Sequence, residues 1–387
     1  MDAAAGTAQD TLVPGIKEQD DCFYYASQWE LTWWRFRRHR MAAVSLGLLI
    51  LLYVLAVFSG FFSPYNTARR FEDYQEAPPV RIRWFQTDEN GQRRFTGPYY
   101  YGFEKVLNQE KFKFEFFPIK ETAYPLRFFV RGIEYTVVGD FKSDLHFFGS
   151  SDPDAPPLMI FGADRLGRDL FSRILYGGRI SLSIGLLGVI LSLVLGIVLG
   201  GVSGYFGGLT DEVIQRIIDF LLSIPSLPLW MALSAALPRD WSVLETYFAI
   251  TIILSILGWT GLARVVRGKL LALREEDYTM AAKAAGTSEG RIIFKHLLPG
   301  FTSHLIVTTT LMVPGMILAE TSLSFIGLGI QPPAVSWGTL LQDAQDIVAI
   351  AQHPHQLIPA VWVMAAVLLF SFVGDGLRDA ADPYSDH

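Results

Sequence analysis

A glycine-flanked serine is the first group in this chain with the spacing for covalent chemistry. Gly286-Thr287-Ser288-Glu289-Gly290 fits G-x-S-x-G, a pattern in which a sharp strand-to-helix turn exposes a nucleophilic hydroxyl. That chemistry needs a preceding strand, a partner histidine and an acid, whereas an alanine-rich helical stretch precedes Ser288. His353 and His355 flank a proline with no further cysteine, histidine or carboxylate at metal spacing, so they read as satisfied loop residues. No G-x-x-x-x-G-K-[ST] occurs, which removes a phosphate-cradling loop. The chain is therefore expected to be no enzyme, with no catalytic group, metal or cofactor of its own. Glu320 stands out because it follows an apolar run, where ionisable groups face protein or water rather than lipid. It either braces the nearby loop holding Pro332 and Pro333 or lines a vestibule.

The elements that must position these groups are apolar. Of 387 residues, 51% are hydrophobic and only 18% charged, and the mean hydropathy is +0.30. Six runs without a charged side chain, Ala42 to Phe62, Ile180 to Tyr205, Phe220 to Leu237, Thr246 to Ala263, Phe301 to Ala319 and Gln356 to Gly374, each have the roughly 18 to 25 residues that cross a bilayer. A soluble α/β chain can bury one such run, but six leave too little polar surface to cover them. Pro225 and Pro228 fall inside the third run, as a simple kink or as a gate. The expected class is an all-α polytopic membrane protein. The first run starts too deep in the chain, and without an A-x-A-like site, to be a cleaved signal.

Basic residues set the orientation. Arg35 to Arg40 reads RFRRHR and the segment from Arg264 to Lys295 is basic, whereas Ser322 to His355 has no lysine or arginine. Both termini and the basic loop are thus expected in the cytoplasm. Residues 1–41 form a tail ending in FYYASQWELTWWRFRRHR, read as an interfacial amphipathic helix on the inner leaflet. Residues 63–178 form an extracytoplasmic insertion, small and mainly β: RIRWFQ and RRFTGPYYYGF read as a hairpin turning at Asn90-Gly91, and PLRFFVRGIEYTVVGDF repeats the alternation around Gly132. Its aromatics are read as core. Residues 179–376 hold the remaining spans and 377–387 a short tail. The single cysteine, Cys22, leaves the insertion without a disulfide. The net charge of -6 averages surfaces on two sides of a membrane, and no nucleic-acid partner is expected.

One polar stretch between the fourth and fifth runs is unusual: LREEDYTMAAKAAGTSEGRIIFKHLLPG, from Leu273 to Gly300. Leu273 to Ala285 suits a short helix, Gly286 ends it in a left-handed turn, and Arg291 to Leu298 starts a second helix before Pro299. Alanines on one side let a partner approach closely. A cytoplasmic helix-turn-helix that plugs into another protein accounts for this better than a plain solvated loop.

The stretch resembles the EAA loop of ATP-binding cassette (ABC) importer permeases. Ala281, Ala282, Gly286, Leu298 and Pro299 fit that pattern's spacing, Met280 replaces its glutamate, and His296 stands at the usual isoleucine. Both departures resemble the dipeptide/oligopeptide branch. GADRLGRDLFSR, from Gly162, is similar to that branch's G-T-D-x-x-G-R-D-x-x-S-R, with Ala163 for threonine. LSFIGLGIQPPAVSWG, from Leu323, resembles its segment between the last two spans. The insertion is longer than in ordinary dipeptide permeases and in this resembles YejE-type permeases.

The resemblance implies a six-helix type I importer (MetI-like) fold in a bacterial cytoplasmic membrane, forming half of a pathway for dipeptides or oligopeptides with a paralogous permease as heterodimer. It implies a cytoplasmic ATPase that binds ATP and Mg, and an extracytoplasmic substrate-binding protein. The loop 268–300 would be the coupling element, with Glu276, Asp277, Ala281, Ala282, Gly286, His296, Leu298 and Pro299 as its site residues. Gly162, Asp164, Gly167, Arg168 and Asp169 would form an outer motif that either docks the binding protein or fixes the turn into the second span. An oligosaccharide or opine importer of the same family is the alternative. A membrane-anchored receptor would need a cytoplasmic output domain, which the residues after Gly374 cannot make. A lone secondary transporter would show related halves and midplane charges.

Overall fold

The apolar runs fold as helices that reach well past their own ends. The computed structural model describes residues 28–87, 93–109, 113–137, 141–150, 152, 154–238 and 240–381; Cys22 and the expected Asn90-Gly91 turn lie outside them. A short helix α1 (Gln28–Arg38) leads into α2 (Arg40–Val57) and the turn α3 (Ser59–Phe62). After a four-stranded insertion come α4 (Leu170–Phe206), α5 (Gly208–Ser223), α6 (Ser226–Ala235), α7 (Val243–Leu273), α8 (Asp277–Ala284), α9 (Thr302–Phe325), α10 (Trp337–Asp343), α11 (Ile347–Gln352) and α12 (Ile358–Ala381). Among the described residues five helical stretches are long and apolar enough to cross a membrane, and the bent pair α5–α6 makes a sixth if it counts as one span.

That bent pair corrects the third run. Phe220 to Leu237 was expected as one span, but the helix breaks by 87° between Ser223 and Ser226. Pro225 has no N–H to continue the ladder and pushes Ile224 out of helical space, to φ -92° and ψ 127°. Pro228 sits in the first turn of α6, where a missing N–H costs nothing.

The second span also differs from its run. It begins at Leu170 rather than Ile180, because Arg173 and Arg179 are tolerated in the helix by partners: Arg179 donates to the Ala56 and Val57 carbonyls at 3.0 and 2.6 Å. Against α7 this helix packs with almost no side-chain separation. Gly196, Gly200 and Gly204 recur every four residues along the seam, and a Cβ on Gly200 would strike the Ala263 carbonyl, the close approach that small-xxx-small spacing allows. The main core joins α2, α4, α7, α9, α10 and α12 around Leu182, Ile184, Leu254, Ile317, Leu323 and Trp337. Phe36 of α1 is buried against Ala42, Val373 and Ala380, while Trp33 and Trp34 stay exposed.

The insertion is an antiparallel meander, β1 (Arg83–Thr87), β2 (Arg93–Asn108), β3 (Lys113–Thr136) and β4 (Lys142–Ser150), in sheet order 1-2-3-4. β3 is shared: Lys113 to Pro125 pairs with β2, and Leu126 to Thr136 pairs with β4. Gly132 marks a register irregularity within this continuous strand. It leaves room for the buried His146 ring.

Candidate coupling loop and opposite-end latch

The stretch between α7 and α9 forms a helix-turn-helix, with differences from expectation at both helices. The first helix does not run continuously from Leu273. α7 ends there, Glu276 is extended, and Thr279 Oγ donates to the Leu273 carbonyl at 2.9 Å, so α8 starts afresh at Asp277. Its C-terminus closes on Gly286 at φ 74°. The Gly286 N–H donates to the Lys283 carbonyl at 2.9 Å and the Thr287 N–H to the Ala282 carbonyl at 3.1 Å, the paired bonds of a Schellman ending. The second helix starts at Glu289, earlier than Arg291, and Pro299 does not stop it. One helical rod runs from Glu289 to Phe325 through a π stretch (Ile292–Leu297) and a 3-10 turn (Leu298–Phe301); Pro299 lies where its missing N–H is harmless.

Glu276, Asp277, Ala281, Gly286, His296 and Pro299 are exposed, whereas Ala282 and Leu298 pack partly against Leu270, Ile292 and Leu297. The loop thus uses one alanine inward and offers the other outward. Lys283 Nζ stands 5.0 Å from the Tyr205 ring centre, tying α8 to the end of α4. Tyr278, Met280 and Phe294 are also exposed, three apolar side chains that spacing to a motif did not bring out. Their signal was composition: a tyrosine, a methionine and a phenylalanine in an otherwise polar loop. The α1–α2 junction and the end of α12 meet through His39 and Asp379, 3.9 Å apart, and Arg378 and Lys269 both lie near His304. Loop, α1 and the end of α12 therefore share one end of the bundle.

At the other end the glycine-aspartate-arginine motif folds into a knot beneath the sheet. Asp164 accepts from the backbone N–H groups of Leu166 and Arg168 at 2.9 Å each, from Arg168 Nε at 2.7 Å, and from Arg173. Arg168 and Arg173 both reach on to Asp343 at the end of α10, at 3.1 and 3.0 Å. Gly167 turns at φ 71° and its carbonyl accepts from Phe71, while Gly162 packs on His355, whose Nε2 lies 3.1 Å from the Ala163 carbonyl. His353 lies 3.3 Å from Glu76. Among the described residues no three histidine, cysteine or acidic side chains could hold a metal.

Asp169 caps α4, accepting from the Ser172 N–H at 2.8 Å and its hydroxyl at 2.6 Å. Burial pushes this carboxyl up to about 7, against the pull of both Ser172 bonds, and the charge of Asp164 adds to the rise. Because the folded value lies above the ordinary value of about 3.9, the associated stability is full below that value and is lost as pH rises through about 7. Asp169→Asn is expected to flatten the melting temperature of the detergent-solubilised protein between those pH values; an unchanged pH profile would remove Asp169 from the account.

Glu320 is fully buried. Ser181 and Ser324 donate to its two oxygens at 2.9 and 2.8 Å. The same hydroxyls accept from the Trp337 and Ile330 N–H groups, at 3.0 and 3.1 Å, and Trp337 Nε1 donates to the Ile174 carbonyl at 3.0 Å. Through the two serines Glu320 is thus linked to both sides of the Pro332-Pro333 loop, the geometry a bracing role needs. Glu320→Gln keeps an acceptor and should melt close to the unsubstituted protein, whereas Glu320→Leu strands two buried hydroxyls at about 1–3 kcal/mol each. Equal melting of the two variants would refute the brace.

Two family models match the chain. Residues 192–385 match the binding-protein-dependent transport system inner membrane component, and residues 27–79 match the N-terminal TM domain of oligopeptide transport permease C. The stretch between them, 80–191, holds the whole sheet and the outer motif. The oligopeptide transport system permease protein OppC of Bacillus subtilis (strain 168) is 41% identical over 224 residues, 58% of this chain and 71% of that protein. The dipeptide transport system permease protein DppC of the same organism is 30% identical over 351 residues, 91% and 84% of the two chains. The glutathione transport system permease protein GsiD of Escherichia coli O6:K15:H31 is 40% identical over 223 residues, 58% and 71%. With its bundle of apolar helices and its exposed loop helix, the chain belongs to the family of binding-protein-dependent transport system inner membrane components.

Proposed function

We propose that this chain is the permease subunit of an ABC importer for dipeptides or oligopeptides, spanning the bacterial cytoplasmic membrane six times with α5–α6 as a broken third span. Relatives named for oligopeptide, dipeptide and glutathione transport support the substrate class. Both termini and the loop 268–300 face the cytoplasm in this reading, and the sheet faces out. A paralogous permease supplies the other half of the pathway, a separate ATPase binds ATP and Mg, and a binding protein delivers the peptide.

The observation that carries the coupling role is the exposure of Tyr278, Met280, Ala281 and Phe294 at the end of the bundle that this reading places in the cytoplasm. Apolar groups shown to water in one place mark a protein contact. Docked there, an ATPase moves α8 and, through the Schellman turn, the rod that follows. Met280→Glu is expected to release the ATPase from the purified complex while the permease stays membrane-inserted; full retention of the ATPase would overturn this docking site. Substrate class is tested on the complex from its native membrane, by native mass spectrometry of the molecule carried by the binding protein. Short peptides support the reading, and a sugar oligomer overturns it.

A further inference from the structure

The aromatic rings of the inserted sheet gather at one place. Phe61 and Phe62 of α3 join Phe129 and Phe147 of the β3–β4 hairpin, with centroids 6.3 Å apart for Phe61–Phe129, 5.8 Å for Phe61–Phe147 and 5.5 Å for Phe62–Phe147. Phe129 is nonetheless 62% exposed, and Phe141, nearest the hairpin tip, is 74% exposed. Phe129 also holds a positive φ of 57°, a conformation that costs a bulky residue about 1–3 kcal/mol. Exposed rings on a two-stranded projection invite aggregation unless something covers them.

The height of the hairpin against the spans identifies the cover. Phe148 packs on Phe171, near the start of α4, with centroids 5.8 Å apart. Tyr135, further along the hairpin, comes within electrostatic reach of Tyr176. Five helical residues separate these two levels, so the hairpin descends about 7 Å along α4 toward the middle of the bundle. The Tyr135 ring also lies against Gly60, and the His146 ring nitrogens meet the Ser63 and Ile133 carbonyls at 2.6 and 2.9 Å. These contacts pin the hairpin to the end of the first apolar run.

That run begins at Ala42, and about twenty helical residues cover about 30 Å of hydrocarbon, which places the hydrocarbon boundary close to Gly60. Beyond Tyr135 the strands continue: Thr136 pairs with Lys142, and the Val137 N–H donates to the Phe141 carbonyl at 2.9 Å. Two further residue levels extend the hairpin about 6 Å. The described end of the hairpin, at Val137 and Phe141, therefore reaches the level where lipid begins. The side chains around it suit that depth. Lys142 pairs with Glu134 at 3.5 Å and Arg131 with Asp144 at 3.9 Å, each more than half exposed. Paired charges with aromatic rings match the headgroup layer rather than the hydrocarbon.

We propose that the β3–β4 hairpin is an interfacial anchor whose Val137 and Phe141 end rests in the headgroup region of the leaflet on the insertion side, with the rings of Phe129 and Phe141 among the lipids. The inference rests on reading α2 and α4 as membrane spans. It makes the bilayer surface, through continuity with the lipid-facing end of the first span, the occupant of this aromatic face. The anchor fixes the tilt of the whole sheet over the bundle, since β3 runs on from the hairpin into the pairing with β2.

The test uses the complete transporter in vesicles of phosphatidylethanolamine and phosphatidylglycerol. Cys22 is replaced by serine, and Phe141→Cys or, at the opposite end of the sheet, Leu107→Cys carries a nitroxide. Power saturation compares collision with oxygen, which concentrates in lipid, and with a neutral nickel chelate, which stays in water. A several-fold higher oxygen-to-nickel ratio at position 141 than at 107 supports the anchor. Equal ratios with free access for nickel overturn it. Loss of access to both reagents at 141 also overturns it, and assigns the aromatic face to a protein such as the second permease. If α2 and α4 were not spans, labels at Leu51 and Leu187, both exposed in the helices, would fail to show the lipid signature, which separates failure of the anchor from failure of the span assignment.

Discussion

Gly286→Val is expected to reduce substrate uptake about tenfold or more while the protein still inserts and is recovered in normal amounts. The reason is conformational. A Cβ at this position would meet nothing within 4 Å, yet the backbone sits at φ 74°, where an L residue pays about 1–2 kcal/mol and a β-branched one more. A penalty of that size shifts a local equilibrium by a factor of about 5–30, enough to unmake the turn between α8 and the rod. Gly286→Asn, which tolerates the left-handed region, should keep most of the uptake. The pair separates two mechanisms, because crowding against a docked ATPase would disable asparagine as much as valine. Normal uptake by a well-expressed valine variant would remove the turn from the coupling mechanism altogether.

Asp164→Ala should be the most damaging single change at the opposite end. It removes the carboxylate shared by Arg168 and Arg173, and the Arg173 side chain is 4% exposed. Asp343 alone then faces two guanidinium groups, and it is 43% exposed and more readily screened. Stranding a buried charge costs about 3–5 kcal/mol, a large share of a typical folding free energy. The expected result is poor accumulation in membranes and a melting temperature lowered by several degrees. Asp164→Asn retains the acceptor for the Leu166 and Arg168 N–H groups but loses the charge, and should fall between. If alanine and asparagine variants behave alike, the backbone bonds and not the ion pairs hold the knot. Unchanged stability in both would leave the outer motif free for docking a binding protein.

Helix positions were legible from charge-free runs, because lipid-length apolar segments have few alternatives. Their ends were not, since a run stops at the first charge whereas a helix stops where its partners do: Arg173 and Arg179 lie within α4 because carboxylates and carbonyls across the bundle receive them. The break at Pro225 was visible as a proline, but its 87° angle depends on what α5 packs against. Arg267 pairs with Asp211 and Arg264 with Asp219, holding α5 on α7. In the loop, spacing located Gly286 and its φ correctly. It said nothing of Pro299 being absorbed into a continuing rod, because proline stops a helix only where an N–H was needed. The outer motif was legible as a list of residues. Its partner Asp343 stands about 180 positions away in a segment without basic residues, and only folding brings the two together. The glycine seam at 196, 200 and 204 was readable as small-xxx-small spacing and was not singled out.

The continuous helical path from Glu289 to Phe325 joins the two ends of the molecule, with a π stretch, a 3-10 turn and Pro314 along its length. Its 37 residues make a beam about 55 Å long, with the exposed loop at one tip and the Glu320 brace one turn from the other. Pivoted where Met316 sits against Gly188 and Gly258, about three quarters of the way along, such a beam is an unequal lever. A tilt of about 10° would carry the loop end about 7 Å and the brace end about 2 Å, in opposite directions. A push received at the loop would thus arrive at the Pro332-Pro333 segment as a pull, without any chain of side-chain rearrangements between them.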